Sequence, residues 1–291
     1  MLFSIIIPTY KDWDRLKLCL DSLIDAQKGD FDYEIIVVDN AQHHAPPEFI
    51  KSLSKIILVH EPKPGSYSAR NTGASNASGK YLAFTDSDCI PDENWLVNAK
   101  TCFDTENCDL IGGRIDIFKE DMGGEWAYIY EKNIAFPQSQ NVPKGKAVTA
   151  NLFVKNMVFK QVDGFDSSLK SGGDWDFSTR AVENGYKLIY AEEVAVSHPA
   201  RKRIRDILKK QKRFAAWGYL KAKRRFGYSG IRVLAGNLYH EIIRIFKTTG
   251  KASRLKEKTI IFIISSEIYL FKSFYQLLFV LRLVNPKKIR E

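Results

Sequence analysis

Two aspartates separated by one serine, Asp86-Ser87-Asp88, close the apolar run KYLAF, and Asp39 closes another, YEIIVV. A second spaced pair, Asp174 and Asp176, lies in SGGDWDF. Carboxylates that end buried strands repel one another unless a cation or a hydroxyl network meets them. Mg²⁺ takes one or two carboxylates together with phosphate oxygens and water, and a partly desolvated carboxylate can act as general base toward a hydroxyl. At Asp86 and Asp88 these residues therefore permit a divalent cation or a sugar hydroxyl network. A lone D-x-D also makes a turn, and Asp174 can also serve as the N-cap of a helix running through Ala181. The placement of the first pair at the end of a strand favours the functional reading.

Strands and helices alternate along the first half. SIIIPTY, YEIIVVDN, SKIILVH and KYLAFTDSD read as strands, and DWDRLKLCLDSLI places Leu16, Leu20, Leu23 and Ile24 on one helical face. Ser66 to Ser78 reads as a small-residue helix. This alternation predicts an α/β fold with right-handed crossovers, and continuous apolar strands suit a parallel sheet covered on both faces. In such sheets ligands bind outside the carboxyl ends of the strands, where Pro8-Thr9-Tyr10, Asp39 and Asp86-Ser87-Asp88 converge. GGRI reads as a further strand with flexible glycines, and Val148 to Asp166 as strand, helix and turn.

With 45% hydrophobic residues in 291, the chain can build a large core. The four cysteines lack metal-ligand spacing and are expected as free thiols in a reducing compartment. MLFSIIIPTY has no basic n-region and is expected as a first strand, not a signal peptide. The net charge of +10 is unevenly spread: residues 1–200 carry 20 basic and 29 acidic side chains, residues 201–291 carry 24 basic and 5 acidic. The basic C-terminal part calls for a polyanionic partner.

In this order, SIIIPTY, YEIIVVDN, GSYSARNTG, GKYLAFTDSDCIPDENWL, GGRI and GGDWDFSTRA resemble the family 2 glycosyltransferases of the GT-A fold, over about residues 3 to 200. The resemblance implies a central, mostly parallel sheet flanked by helices. It also implies inverting transfer from a UDP-, dTDP- or GDP-sugar to a glycan or lipid-linked acceptor. Residues 1–110 would form the nucleotide-sugar half and 111–200 the acceptor half. Asp86 and Asp88 would hold Mg²⁺ or Mn²⁺, with Asp88 the direct ligand, and His198 would be a further metal or phosphate contact. Pro8, Thr9 and Tyr10 would line the nucleoside pocket, Asp39 would accept from base or ribose, Arg70 would reach a phosphate as a fork donor, and Asn71 would fix its loop. Asp174 would be the base, with Trp175 and Asp176 beside it on the acceptor side. Many relatives have Glu-Asp where this chain has Gly173-Asp174.

A nucleotidyltransferase would need a glycine-rich loop after the first strand, and IIIPTYKDWD has none; a dinucleotide enzyme would need G-x-G-x-x-G there. A non-catalytic sugar-nucleotide or lipid-binding module is the other alternative, against which Asp174 speaks. His43 and His44 are expected to be solvated. Residues 201–291 form a basic, partly apolar helical extension. Thr259 to Val284 is apolar but interrupted by Glu267, Lys272 and Arg282, and each charge would cost about 2.5 to 3.5 kcal/mol at a bilayer centre. The expectation is a helix at the interface of an anionic cytoplasmic membrane surface, with a hairpin packed on the domain or at a homodimer contact as the alternative. A nucleic-acid motif is absent from this basic region, so no nucleic-acid partner is expected.

Overall fold

Alternate residues of the first two strands serve opposite layers. In β1 (Phe3–Thr9) and β2 (Tyr33–Asp39), Ile5, Ile7, Ile35 and Val37 enter one core, while Ile6, Ile36 and Val38 enter the other. A strand with no polar face must be covered twice, and helices do so. The computed structural model describes residues 1–24, 27–41, 46–51, 53, 55–226, 243, 245–250, 252–286 and 289. His43 and His44 fall outside them.

The other strands are β3 (Ile56–His60), β4 (Tyr81–Thr85), β5 (Ile90–Pro91), β6 (Leu110–Phe118), β7 (Asn151–Lys155) and β8 (Leu188–Pro199). The helices are α1 (Trp13–Ile24), α2 (Glu48–Lys51), α3 (Ser66–Ser75), α4 (Trp95–Thr105), α5 (Glu125–Ile134), α6 (Gln138–Asn141), α7 (Asn156–Gln161), α8 (Gly173–Glu183), α9 (Ile204–Phe226) and α10 (Leu255–Val280). The sheet order is β3-β2-β1-β4-β7-β6-β8-β5. Its first four strands are parallel, as the βα alternation requires; β7 then runs antiparallel to both β4 and β6, and β5 runs antiparallel to β8. The sheet is thus mixed, because the second half of the chain supplies strands without the crossover helices that parallel pairing demands.

Leu16, Cys19, Leu20 and Leu23 of α1 and Trp95, Leu96, Ala99 and Phe103 of α4 fill one core. Ala69 and Ala74 of α3, Val158 and Phe159 of α7, and Phe177 and Ala181 of α8 fill the other. The four cysteines are free thiols, three of them buried.

The chain divides into two compact units, residues 1–116 with 136–198, and residues 117–135 with 199–291. In the second, α5, α9 and α10 share a core of Ala127, Ile129, Tyr130, Ile207, Ile260, Ile261, Ile264 and Ile268. Arg201 is paired there with the buried Glu131 at 2.5 Å.

The glycines of GGRI serve close approach rather than flexibility. Neither has a positive φ. A Cβ on Gly113 would fall on the Val194 carbonyl oxygen and the Asn151 amide. Asn151, fully buried, donates to the carbonyls of Arg114 (2.8 Å) and Val194 (2.9 Å) and accepts from Trp95 Nε1 (2.9 Å), joining β6, β7, β8 and α4 at one point. Gly113→Ala is therefore expected to destabilise the protein by about 1–3 kcal/mol, read from urea unfolding, because backbone atoms must shift to admit the methyl group.

Candidate functional site

Parallel pairing in register brings the ends of the first strands together. Thr9 pairs with Asp39, the Asn40 N–H donates to the Thr9 carbonyl at 2.9 Å, and the Glu61 N–H donates to the Asp39 carbonyl at 2.9 Å. The carboxyl ends of β1, β2 and β3 are thereby tied edge to edge. Pro8 is half-buried in β1. Thr9 is buried, and its Oγ1 has no hydrogen-bond partner among the described residues. Tyr10 is 60% exposed, so its ring stands open to a ligand. Asp39 is buried and accepts from the Ala41 N–H at 2.8 Å. Sequence reasoning passed over Asn40. Its amide donates to the carbonyls of Glu61 (2.7 Å) and Lys63 (2.9 Å) and accepts from the Gly65 N–H (2.8 Å), which fixes the loop into α3. Its position directly after Asp39 was the available signal.

Asp86 and Asp88 follow β4. Ligand atoms of Asp86, Asp88, Cys89 and His198 lie within 4.8 Å of one another. Two carboxylates at that separation repel by on the order of 3 kcal/mol at an effective dielectric of about 20, so cations must gather around them. Arg70, 4% exposed on α3, is one: its Nη2 donates to Asp86 Oδ1. The guanidinium expected to reach a phosphate is thus already engaged by the first aspartate, although its buried Nε has no partner among the described residues. His198 stands beside the second aspartate, with Nε2 3.6 Å from Asp88 Oδ1 and its ring 4.7 Å from that of Phe136.

Burial pushes the Cys89 thiol well up, helped by the charges of Asp86 and Asp88. Cys19 is raised by burial and the same two charges, and its Sγ lies 3.8 Å from the Asp86 carbonyl. Both thiols stay protonated near neutrality, so the donor set that suits a hard divalent cation is Asp86, Asp88 and His198. Two carboxylates and an imidazole fit Mg²⁺ or Mn²⁺.

Asp174 lies in the first turn of α8, but the N-cap is Gly172, whose φ of 76° only glycine adopts without strain. Asp174 Oδ1 accepts from the Tyr67 hydroxyl at 3.2 Å and from the Trp175 N–H at 3.0 Å. Burial raises its pKa, opposed by these hydrogen bonds and by the charge of Arg70. Asp176, by contrast, is paired with Arg180 at 2.9 Å, and Arg180 donates onward to the carbonyls of Val162 and Gly164. Asp176 therefore braces α8. Trp175 carries Lys146 Nζ 5.2 Å from its ring centroid. Asn71 fixes a distant loop, not its own: its amide donates to the Phe165 carbonyl at 2.7 Å and accepts from the Phe165 N–H at 3.0 Å. The sequence reading missed Tyr67; its place three residues before Arg70, hence on the same helical face, was the signal.

The glycosyl transferase family 2 model matches residues 4–162. Glycosyltransferase AglE of Haloferax volcanii is 35% identical over 214 residues, covering 72% of this chain and 70% of that protein. Among solved structures, S. aureus TarS 1–349 in complex with UDP aligns with a TM-score of 0.56 at 15% identity, over 96% of this chain and 91% of that one. GalNAc-T7 with UDP, GalNAc and Mn²⁺ aligns at 0.54 and 18% identity, over 69% of this chain and 44% of that one. At these identities the two structures establish the fold, which is GT-A.

The Arg70–Asp86 pair predicts an asymmetry in stability. Asp86→Ala leaves a buried cation without its anion and is expected to cost about 2–4 kcal/mol, whereas Arg70→Met keeps volume while removing the charge and should cost less. Urea midpoints of the two variants test this, and equal losses would refute it.

Proposed function

Because this chain belongs to glycosyl transferase family 2 and is a glycosyltransferase, we propose that it is a metal-dependent, inverting enzyme. It transfers a sugar from a UDP-, dTDP- or GDP-sugar to a glycan or lipid-linked acceptor in cell-surface glycoconjugate synthesis. The observation that carries this reading is the gathering of Asp86, Asp88 and His198, with Asp39 at the carboxyl end of the parallel β2 and Asp174 linked to Arg70's helix through Tyr67. We assign residues 1–110 to the donor, 111–200 to the acceptor and 201–291 to attachment.

Pro8, Thr9 and the open ring of Tyr10 form the nucleoside wall, and Asp39 receives a hydroxyl or base N–H beside them. Asp86, steadied by Arg70, and Asp88 with His198 would hold the divalent ion, Asp88 most directly. Once bound, that ion would offset the negative charge that grows on the leaving diphosphate. Asp174 takes the proton of the acceptor hydroxyl as that oxygen attacks the anomeric carbon from the side opposite the diphosphate. Trp175 lends a flat apolar surface for the acceptor sugar.

Burial raises the pKa of Asp174, and the base must be ionised to work. Activity should therefore fail as pH drops through a value above the ordinary aspartate figure of about 3.9. Asp174→Asn should abolish transfer while leaving nucleotide binding intact, and a variant that still transferred sugar would refute the base role. Asp88→Asn should remove the Mn²⁺-dependent part of the thermal shift that a matching nucleotide sugar gives.

We further propose that the second unit docks on the cytoplasmic face of an anionic membrane. Leu255–Val280 is long and apolar enough to cross a bilayer by length and composition. One face of it is buried in the unit's own core, while Phe262, Ile263, Leu270, Phe274 and Leu277 are exposed, with Glu267 among them. A partly solvated charge on that face suits an interfacial position. Replacing both Leu270 and Phe274 by lysine should weaken partition onto vesicles containing phosphatidylglycerol at least about 10-fold, since each apolar side chain contributes about 1.5–3 kcal/mol on burial. Unchanged partition, or a doubled mass in lipid-free solution, would favour the dimer contact.

A further inference from the structure

Gly173 precedes the proposed base, and the space beside its Cα is taken. A Cβ added there would lie 2.7 to 2.9 Å from Cε2, Cδ2 and Cζ of Tyr67. Carbon atoms are not tolerated so close, and the φ of Gly173 is not positive, so it is the tyrosine ring, not the backbone, that demands glycine. The ring is 9% exposed, lies 5.8 Å from that of Phe165, and sends its hydroxyl to Asp174 Oδ1 at 3.2 Å. Burial, foremost, and the charge of Asp174 hold the phenol well above its ordinary pKa, so it remains a proton donor at every working pH.

The Tyr67 hydroxyl and the Trp175 N–H both donate to Asp174 Oδ1. Tyr67 and Arg70, which both project from α3, each favour the ionised form of Asp174.

We propose that Tyr67 is a positioning residue for Asp174, and that Tyr67 and Gly173 form one unit in which the ring occupies the space a side chain at 173 would need while the phenol fixes the orientation of the aspartate. This rests on the reading of Asp174 as the base.

The test compares Tyr67→Phe, Gly173→Glu and the double variant Gly173→Glu with Tyr67→Ala, each as the full chain, with Asp174→Asn alongside. Tyr67→Phe keeps the ring and loses the donor. Its kcat is expected to fall about 10-fold or more with the donor KM unchanged, the size expected for a hydrogen bond to a charged group. The phenol favours ionised Asp174, so its loss should move the acid limb of the kcat/KM profile to higher pH. Gly173→Glu alone should be nearly inactive, and adding Tyr67→Ala should recover activity by opening the space. A merely structural role would lower Tm without moving the acid limb. The proposal is overturned if Tyr67→Phe stays within about twofold of wild type with an unmoved limb, or if Gly173→Glu is as active as wild type. If Asp174→Asn itself retains transfer, the base reading fails. If only Asp174→Asn is impaired, that reading stands and the role of Tyr67 falls.

Discussion

A guanidinium taken out of water must find an anion, and Arg70 finds Asp86. The donor edge hangs on this pairing. Asp86 and Asp88 both follow β4, and their carboxylates would repel each other if alone. One of them is neutralised from below by a cation rising from α3, and the other is left beside His198 for a ligand to claim. The same helix reaches the proposed base through Tyr67 and the Phe165 loop through Asn71. Residues 67, 70 and 71 share a helical face, so ten residues of helix fix the spacing between the diphosphate side and the acceptor side. Small residues elsewhere in α3, among them Ala69, Gly73 and Ala74, allow that helix to lie close on β1 and β2.

Much of this was legible beforehand because it is written in local pattern. The apolar strands closing in aspartate, the helical face of α1 and the GT-A motifs each follow from a short window of sequence. The mixed sheet was less legible: whether β7 enters beside β4 in parallel or antiparallel sense depends on the long connection from Thr85 to Asn151. Arg70 looked like a phosphate donor because its partner lies 16 residues away with no periodic relation to it. Asn40, Tyr67 and Asn151 were passed over for the same reason. Each works through backbone or side-chain atoms that only tertiary structure brings near, and a polar residue in an apolar run carries no mark of what it will bond.

The charge asymmetry between the two parts of the chain has a physical counterpart in the second unit. There α9 and α10 pack together, and the basic side chains of α9 stand on a unit whose longest helix keeps a row of apolar side chains in solvent. A helix with one face in a core and another in water is under tension that a lipid surface, or another apolar face, relieves.

Asn151 has a further consequence, for the order in which the molecule assembles. It sits in β7, the strand that pairs antiparallel with β4 and β6 and lies at the middle of the sheet, yet it is made after both. A nascent chain that has emerged only as far as β6 has every aspartate of the donor edge but no neighbour for β4 on that side, and Trp95 has no acceptor for its indole. Contacts of such long sequence separation form late. Until residue 155 is free of the ribosome, β4 and β6 lack the strand that lies between them, and such unpaired strand edges are prone to aggregation.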